Sequence, residues 1–166
     1  MTNELEGPDE FGSFMAKRAT MKSILVGATA VAILAAGVIS LQAQGTGRSS
    51  WSGIFTAAQA DRGKQLFMAN CAKCHGESLA GDEAAPQLAG SQFLSNWNGE
   101  NVGDLVDRIH TSMPADDPGK LSVASATDVA AFILSSNQMP AGAAELPRDQ
   151  TVQTQIRIDA LNPGAK

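Results

Sequence analysis

Apolar and polar positions alternate along this chain with different periods in different places. Val102, Leu105, Val106 and Ile109 recur at i, i+3, i+4 and i+7. That is one face of an α-helix, and Met113-Pro114 is expected to end it. Residues 122–136 repeat the pattern, with Val129, Phe132 and Ile133 on one face. Upstream, Thr56-Ala57-Ala58-Gln59 fits a capping box, a hydroxyl at the N-cap and Gln three residues later. The helix it opens is predicted to run to about Ala69, with Gly63, Leu66 and Phe67 facing inward. Glycine inside a helix costs about 1 kcal/mol relative to alanine. Gly63 therefore predicts the close approach of another helix. Residues 91–97 read as a short helix, and 76–90, with three Gly and one Pro, as a loop. Pro118-Gly119 marks a turn. Nothing alternates with the two-residue period of a strand, so the expected class is all-α, with three to four helices.

A different pattern precedes them. Residues 24–41 are 18 consecutive uncharged positions, preceded by Lys17, Arg18 and Lys22. A basic region followed by a long apolar one is the layout of an export signal. Ala43, with Leu41 two positions earlier, is a candidate cleavage point. The stretch also approaches the roughly 20 residues that span a bilayer. A cleaved signal peptide and a retained N-terminal anchor helix both fit, and both place the remainder outside the cytoplasm. The expected location is the periplasm, soluble or tethered to the inner membrane. The expected organisation is signal or anchor over 1–43, a Gly/Ser-rich linker over 44–53, a domain over 54–147 and an irregular tail over 148–166.

Charge narrows the partners. Beyond Ala43 the chain has nine Lys and Arg against thirteen Asp and Glu. Nucleic acid is not expected on such a surface. Long-range steering favours a partner with a basic docking patch.

The candidate chemistry is concentrated in Cys71-Ala72-Lys73-Cys74-His75. These are the only two cysteines of the chain and one of its two histidines. C-x-x-C-H is the attachment signature of a c-type haem. Two thiols three residues apart can each form a thioether to one vinyl group of a single porphyrin, and the next imidazole becomes the proximal iron ligand. A thioredoxin-like redox pair would need a βαβ context that the pattern lacks. A zinc site would need Cys71, Cys74, His75 and the distant His110 together, and adjacent Cys and His rarely reach one metal. A disulfide across two intervening residues is strained. For the sixth position the residues leave three candidates: Met113, Met139 and His110. Met68, on the helix before the motif, reads as packing.

The chain from Ser52 to Pro147 resembles a class I c-type cytochrome, in particular the small exported cytochromes associated with quinoprotein dehydrogenases and respiratory chains. The residues that carry the resemblance are Trp51-Ser52-Gly53, Gln59-Ala60, Arg62-Gly63, Cys71-Ala72-Lys73-Cys74-His75-Gly76, Leu88-Ala89-Gly90, Phe93, Trp97, Met113-Pro114, Leu121-Ser122, Asp128-Val129-Ala130-Ala131-Phe132, Asn137 and Pro140-Ala141-Gly142. One departure is the absence of tyrosine, which that family often has where Phe67 or Phe132 stands here. The resemblance implies a cytochrome c fold around one covalently bound haem c. It implies Met113, in the family's Met-Pro motif, as the sixth ligand, and the Pro86 carbonyl as acceptor for the proximal imidazole. Trp97 is a candidate donor to a haem propionate.

The function this implies is electron transfer rather than catalysis. The donor would be a dehydrogenase or a quinol-oxidising complex, the acceptor an oxidase or reductase, and membrane association would run through residues 24–41. The alternative is a haem enzyme or gas-binding sensor with an open distal iron site. A domain this small is near the size at which a chain needs a staple. Covalent haem would be that staple, so the apoprotein is expected to be largely unfolded.

Overall fold

A computed structural model describes residues 47–165. The expected signal or anchor over 1–43 and the first part of the linker lie outside the described residues. Within them run strand β1 (Arg48–Ser49), helices α1 (Ala57–Asn70), α2 (Ala72–His75), α3 (Ser91–Trp97), α4 (Val102–Ser112), α5 (Val123–Ser136) and α6 (Gln150–Gln153), and strand β2 (Ile156–Arg157). The fold is all-α in character. Four helices have seven residues or more, and α2 and α6 are single turns.

The long helices begin where their caps predict. Thr56 Oγ1 accepts the N–H of Gln59 at 3.1 Å, Asn101 Oδ1 that of Asp104 at 2.9 Å, and Ser122 Oγ that of Ser125 at 3.1 Å. Each satisfies one of the N–H groups a helix leaves unpaired at its start. The capping box at Thr56 is only half made. The Gln59 side chain does not turn back to the cap. It is buried, donates to Asp128 Oδ1 and the Leu146 carbonyl, both at 3.1 Å, and accepts from the Leu146 N–H at 2.7 Å. A buried amide with both ends bonded across the fold outcompetes the local return contact.

Helices α1 and α5 cross at Gly63, as its position predicted. A Cβ there would stand 1.8 Å from the Asp128 carbonyl oxygen. Beside the crossing, the rings of Phe67 and Phe132 meet with centroids 5.3 Å apart at 54°. The α4 stripe of Val102, Leu105, Val106 and Ile109 is fully buried, and α4 packs against α5. Val129 and Ile133 are buried with it, while Phe132 is half-buried.

Two expectations are corrected. From Gly47 onward the linker is structured: Ser50 has no exposed surface, and its N–H bonds the Arg157 carbonyl at 2.8 Å. The tail after Pro147 is not irregular. It forms α6, then β2, which pairs in parallel with β1 in the register Arg48 to Ile156 and Ser49 to Arg157. Ile156 and Ile158 are completely buried. Strand β2 also brackets the α3–α4 turn: Gly99 N–H bonds the Ile158 carbonyl at 2.9 Å, and Ile158 N–H bonds that of Glu100 at 2.8 Å. Two-residue strands carry too little pattern to be seen in a sequence. Their pairing depends on long-range backbone bonds rather than on propensity.

Candidate cofactor site

Helix α1 delivers the attachment motif directly. Its last carbonyls continue into α2: Cys71 N–H bonds the Phe67 carbonyl at 2.8 Å, and His75 N–H that of Cys71 at 3.0 Å. This single turn puts Cys71, Cys74 and His75 on one wall of a cavity of about 830 Å³. Phe67, Leu88, Leu105, Ile109, Val129 and Ile133 supply apolar walls, and Met113 and Pro114 line the same space. A large apolar cavity with a few convergent polar groups is the form of a cofactor site.

His75 is buried, and its Nδ1 lies 2.8 Å from the Pro86 carbonyl. A carbonyl can only accept, so Nδ1 carries the proton. A neutral imidazole then presents its lone pair at Nε2. This is the orientation a metal-binding imidazole needs, fixed by the partner of its other nitrogen. The Pro86 carbonyl is the acceptor at Nδ1.

Burial pushes the Cys71 thiol up to about 11, with neighbouring Cys74 adding to the shift. A redox-active C-x-x-C lowers a thiol instead, to hold a thiolate ready for attack. Cys71 departs from that pattern. Cys71 is half-buried and Cys74 exposed, with no disulfide between them. Among the described residues no group of three or more His, Cys, Asp and Glu side chains is placed to hold a metal ion.

The other candidates separate clearly. Met113 follows the end of α4 in extended backbone and lines the cavity. Met139 is buried in the core away from the cavity lining. His110 is half-buried, its Nδ1 2.6 Å from the Leu121 carbonyl, and does not line the cavity. Met68 is 41% exposed, so the packing role expected for it is not what the structure gives. Trp97 is on the cavity wall, stacked on Phe93 with centroids 6.0 Å apart.

Two features were not anticipated. Arg108 lines the cavity, and among the described residues no carboxylate pairs with it. It flanks the apolar stripe of α4, between Leu105 and Ile109, and the period that revealed the stripe could have revealed it. Lys73, from within the attachment motif, pairs with Asp116, and both line the cavity. Sequence spacing gives no hint of that pair.

These residues fit a haem c. Two thiols and an oriented imidazole stand on one wall, a thioether lines the same space, and apolar side chains fill the walls between. Arg108 and Trp97 line the same cavity.

Residues 58–133, just under half of the chain, match the family described as cytochrome c oxidase, cbb3-type, subunit III. None of the curated proteins matches the chain. Among solved structures it is similar to the sulfane dehydrogenase SoxCD from Paracoccus pantotrophus. That match has 24% identity and a TM-score of 0.42, over 65% of this chain and 62% of that one. The chain thus spans less than two thirds of the length of that relative. The attachment motif and the oriented imidazole lie inside the segment that matches this c-type cytochrome family, on a helical fold.

Proposed function

We propose that the protein is a mono-haem electron carrier, or the electron-transfer subunit of a complex, and that it works outside the cytoplasm. Cys71 and Cys74 would hold the haem through thioethers, and His75 and Met113 would supply the two protein ligands to its iron. When bound, the haem supplies a one-electron Fe(III)/Fe(II) couple. His75 keeps its Nε2 toward the metal because Pro86 holds Nδ1–H. The soft thioether of Met113 favours Fe(II) and raises the potential. Arg108 and Trp97 meet the carboxylates, which limits the cost of holding negative charge beside an apolar cavity. The donor is a dehydrogenase or quinol-oxidising complex and the acceptor an oxidase or reductase. Residues 24–41 either direct export or remain as a membrane anchor.

The observation that carries this reading is the meeting, in one apolar cavity, of Cys71, Cys74, an imidazole with its tautomer fixed, and Met113. The test is the absorption spectrum of the exported protein, oxidised and reduced, followed into the far red. A c-type spectrum with the weak methionine–iron band is expected, and Met113→Ala should abolish that band. A high-spin oxidised form, with rapid carbon monoxide binding after reduction, would replace the carrier by an enzyme or sensor with an open iron site.

A further inference from the structure

We propose that Lys73 and Asp116 are positioning residues for the sixth ligand: their ion pair ties the Met113 loop across the cavity mouth and sets how readily an outside ligand displaces Met113. The inference rests on Met113 as axial ligand and adds the device that governs its release.

The loop runs from Met113 to Leu121, between α4 and α5. Its backbone bonds are internal: Asp117 N–H to the Pro114 carbonyl at 3.0 Å, and Lys120 N–H to that of Asp117 at 3.3 Å. Pro114 and Leu121 are buried, whereas residues 115–120 are all exposed. At its base the loop is pinned by His110 Nδ1 against the Leu121 carbonyl. Between Met113 and Lys120, the Asp116–Lys73 pair is the single hydrogen bond to the rest of the described residues.

The other end of the tie is rigid. Lys73 stands in α2 between the two cysteines, in a turn whose backbone bonds run back to Phe67 and Cys71. That turn also fixes His75. The pair therefore joins the segment bearing the proximal ligand to the loop bearing the distal one, across 43 residues of sequence. Once the thioethers form, α2 cannot move, and opening must come from the loop.

The tie is weak enough to exchange. Lys73 and Asp116 side chains are 61% and 59% exposed. An exposed ion pair is worth up to about a fivefold change in an equilibrium constant. An outside ligand binds iron only in the fraction of molecules whose loop is open, so its apparent affinity scales with that fraction. Removing the tie should raise that affinity by the same factor. Salt should do so too, because the pair is in contact with solvent.

The experiment is a titration of the oxidised, haem-loaded protein with imidazole, at low salt and at about 1 M salt, where screening extends over only ~3 Å. Asp116→Asn and Lys73→Gln should each tighten imidazole binding about two- to fivefold at low salt. Together they should do no more than either alone. The exchanged pair, Lys73→Asp with Asp116→Lys, should restore wild-type affinity, and at high salt the differences should vanish. Asp117→Asn removes the same charge next door and should change nothing. Asp116→Asn leaves the attachment motif intact and carries the test if the Lys73 variants fail to load haem. Equal effects of Asp116→Asn and Asp117→Asn, or additive effects of the pair, would overturn the tie. Met113→Ala separates the two possible failures. If it leaves imidazole affinity unchanged, the ligand assignment falls and the tie with it. If it raises the affinity while Asp116→Asn does not, only the tie falls.

Discussion

The helical half of the domain and its C-terminal strap reach order by different routes. Helices α1, α4 and α5 bury side chains at helical spacing and are capped by residues within each segment. The strap, residues 141–159, has one helical turn and one two-residue strand. It is ordered by bonds to places far off in sequence: Leu146 to Gln59, Ile158 to Glu100, and Asp159 to Ser49 and Trp51. The family match covers only 58–133, which takes in α2, α3, α4 and most of α1 and α5 and excludes the strap. The difference teaches that the cofactor wall has two supports. The helices make the cavity, and the strap holds the turn that carries Trp97 and Glu100 at its edge.

The sharpest way to break the comparison is to remove what fills the cavity. Without haem, a cavity of about 830 Å³ walled by Phe67, Leu88, Leu105, Ile109, Val129 and Ile133 is left without the group that fills it, and its apolar walls lose their packing partner. Apoprotein, or the Cys71→Ala/Cys74→Ala variant, should therefore lose fixed packing in the helical half. The near-UV circular dichroism should collapse. A native-like near-UV spectrum without haem would mean that the helices close the space by themselves.

Cutting the chain after Pro147 attacks the other support. Ile156 and Ile158 are completely buried, and full burial of such side chains stabilises by about 1.5–3 kcal/mol each. The holoprotein should lose about 3–6 kcal/mol in denaturant unfolding while keeping its methionine–iron band, since no strap residue lines the cavity. Loss of the band would place the strap inside the ligand machinery.

Gly63→Ala tests the contact that makes the helical half. Alanine gains about 1 kcal/mol of helix propensity. The new methyl would stand 1.8 Å from a backbone oxygen and 3.0 Å from Phe132 Cβ. No rotamer relieves a Cβ, so α1 and α5 must part. Overpacking of this kind costs about 1–3 kcal/mol, and the overlap should win. A stabilised variant by thermal unfolding would show that the crossing yields more easily than the geometry implies.

What was legible in the sequence follows the same division. The helices from 57 to 136, the cap at Thr56 aside from its half-made box, and the attachment motif all rest on neighbours one to four residues apart. The short α3 was legible at both ends. So was the meeting of Gly63 with another helix, because a glycine inside a helix needs a reason. The strap was not legible. Its buried side chains, Leu146, Ile156 and Ile158, have no periodic company, and Gln153, fully buried, looks polar and exposed in sequence. Arg108 and the Lys73–Asp116 pair were missed for a related reason: a charge on a helix or loop is ordinarily solvated, and only the cavity gives these three a context.

The smallest expected effect concerns the cap of α6. Asp149 accepts the N–H of Thr151 at 2.8 Å and its hydroxyl at 2.6 Å. These bonds, the side-chain one first, hold its carboxyl below the ordinary 3.8. A carboxylate depressed in the folded state stabilises that state above its unfolded value, and the stabilisation fades as pH falls through the folded one. Protection of the strap amides that depend on α6, Ile158 N–H first, should therefore decline on acidification below about pH 4. Asp149→Asn keeps an acceptor oxygen for the cap but cannot titrate. Hydrogen exchange should then show a smaller acid loss in the variant's strap, with the helical amides of α4 and α5 unchanged. Equal acid sensitivity in both proteins would move the strap's pH response to another group. A parallel loss in α5 would mean that strap and helices open as one unit, which would erase the distinction between the two supports.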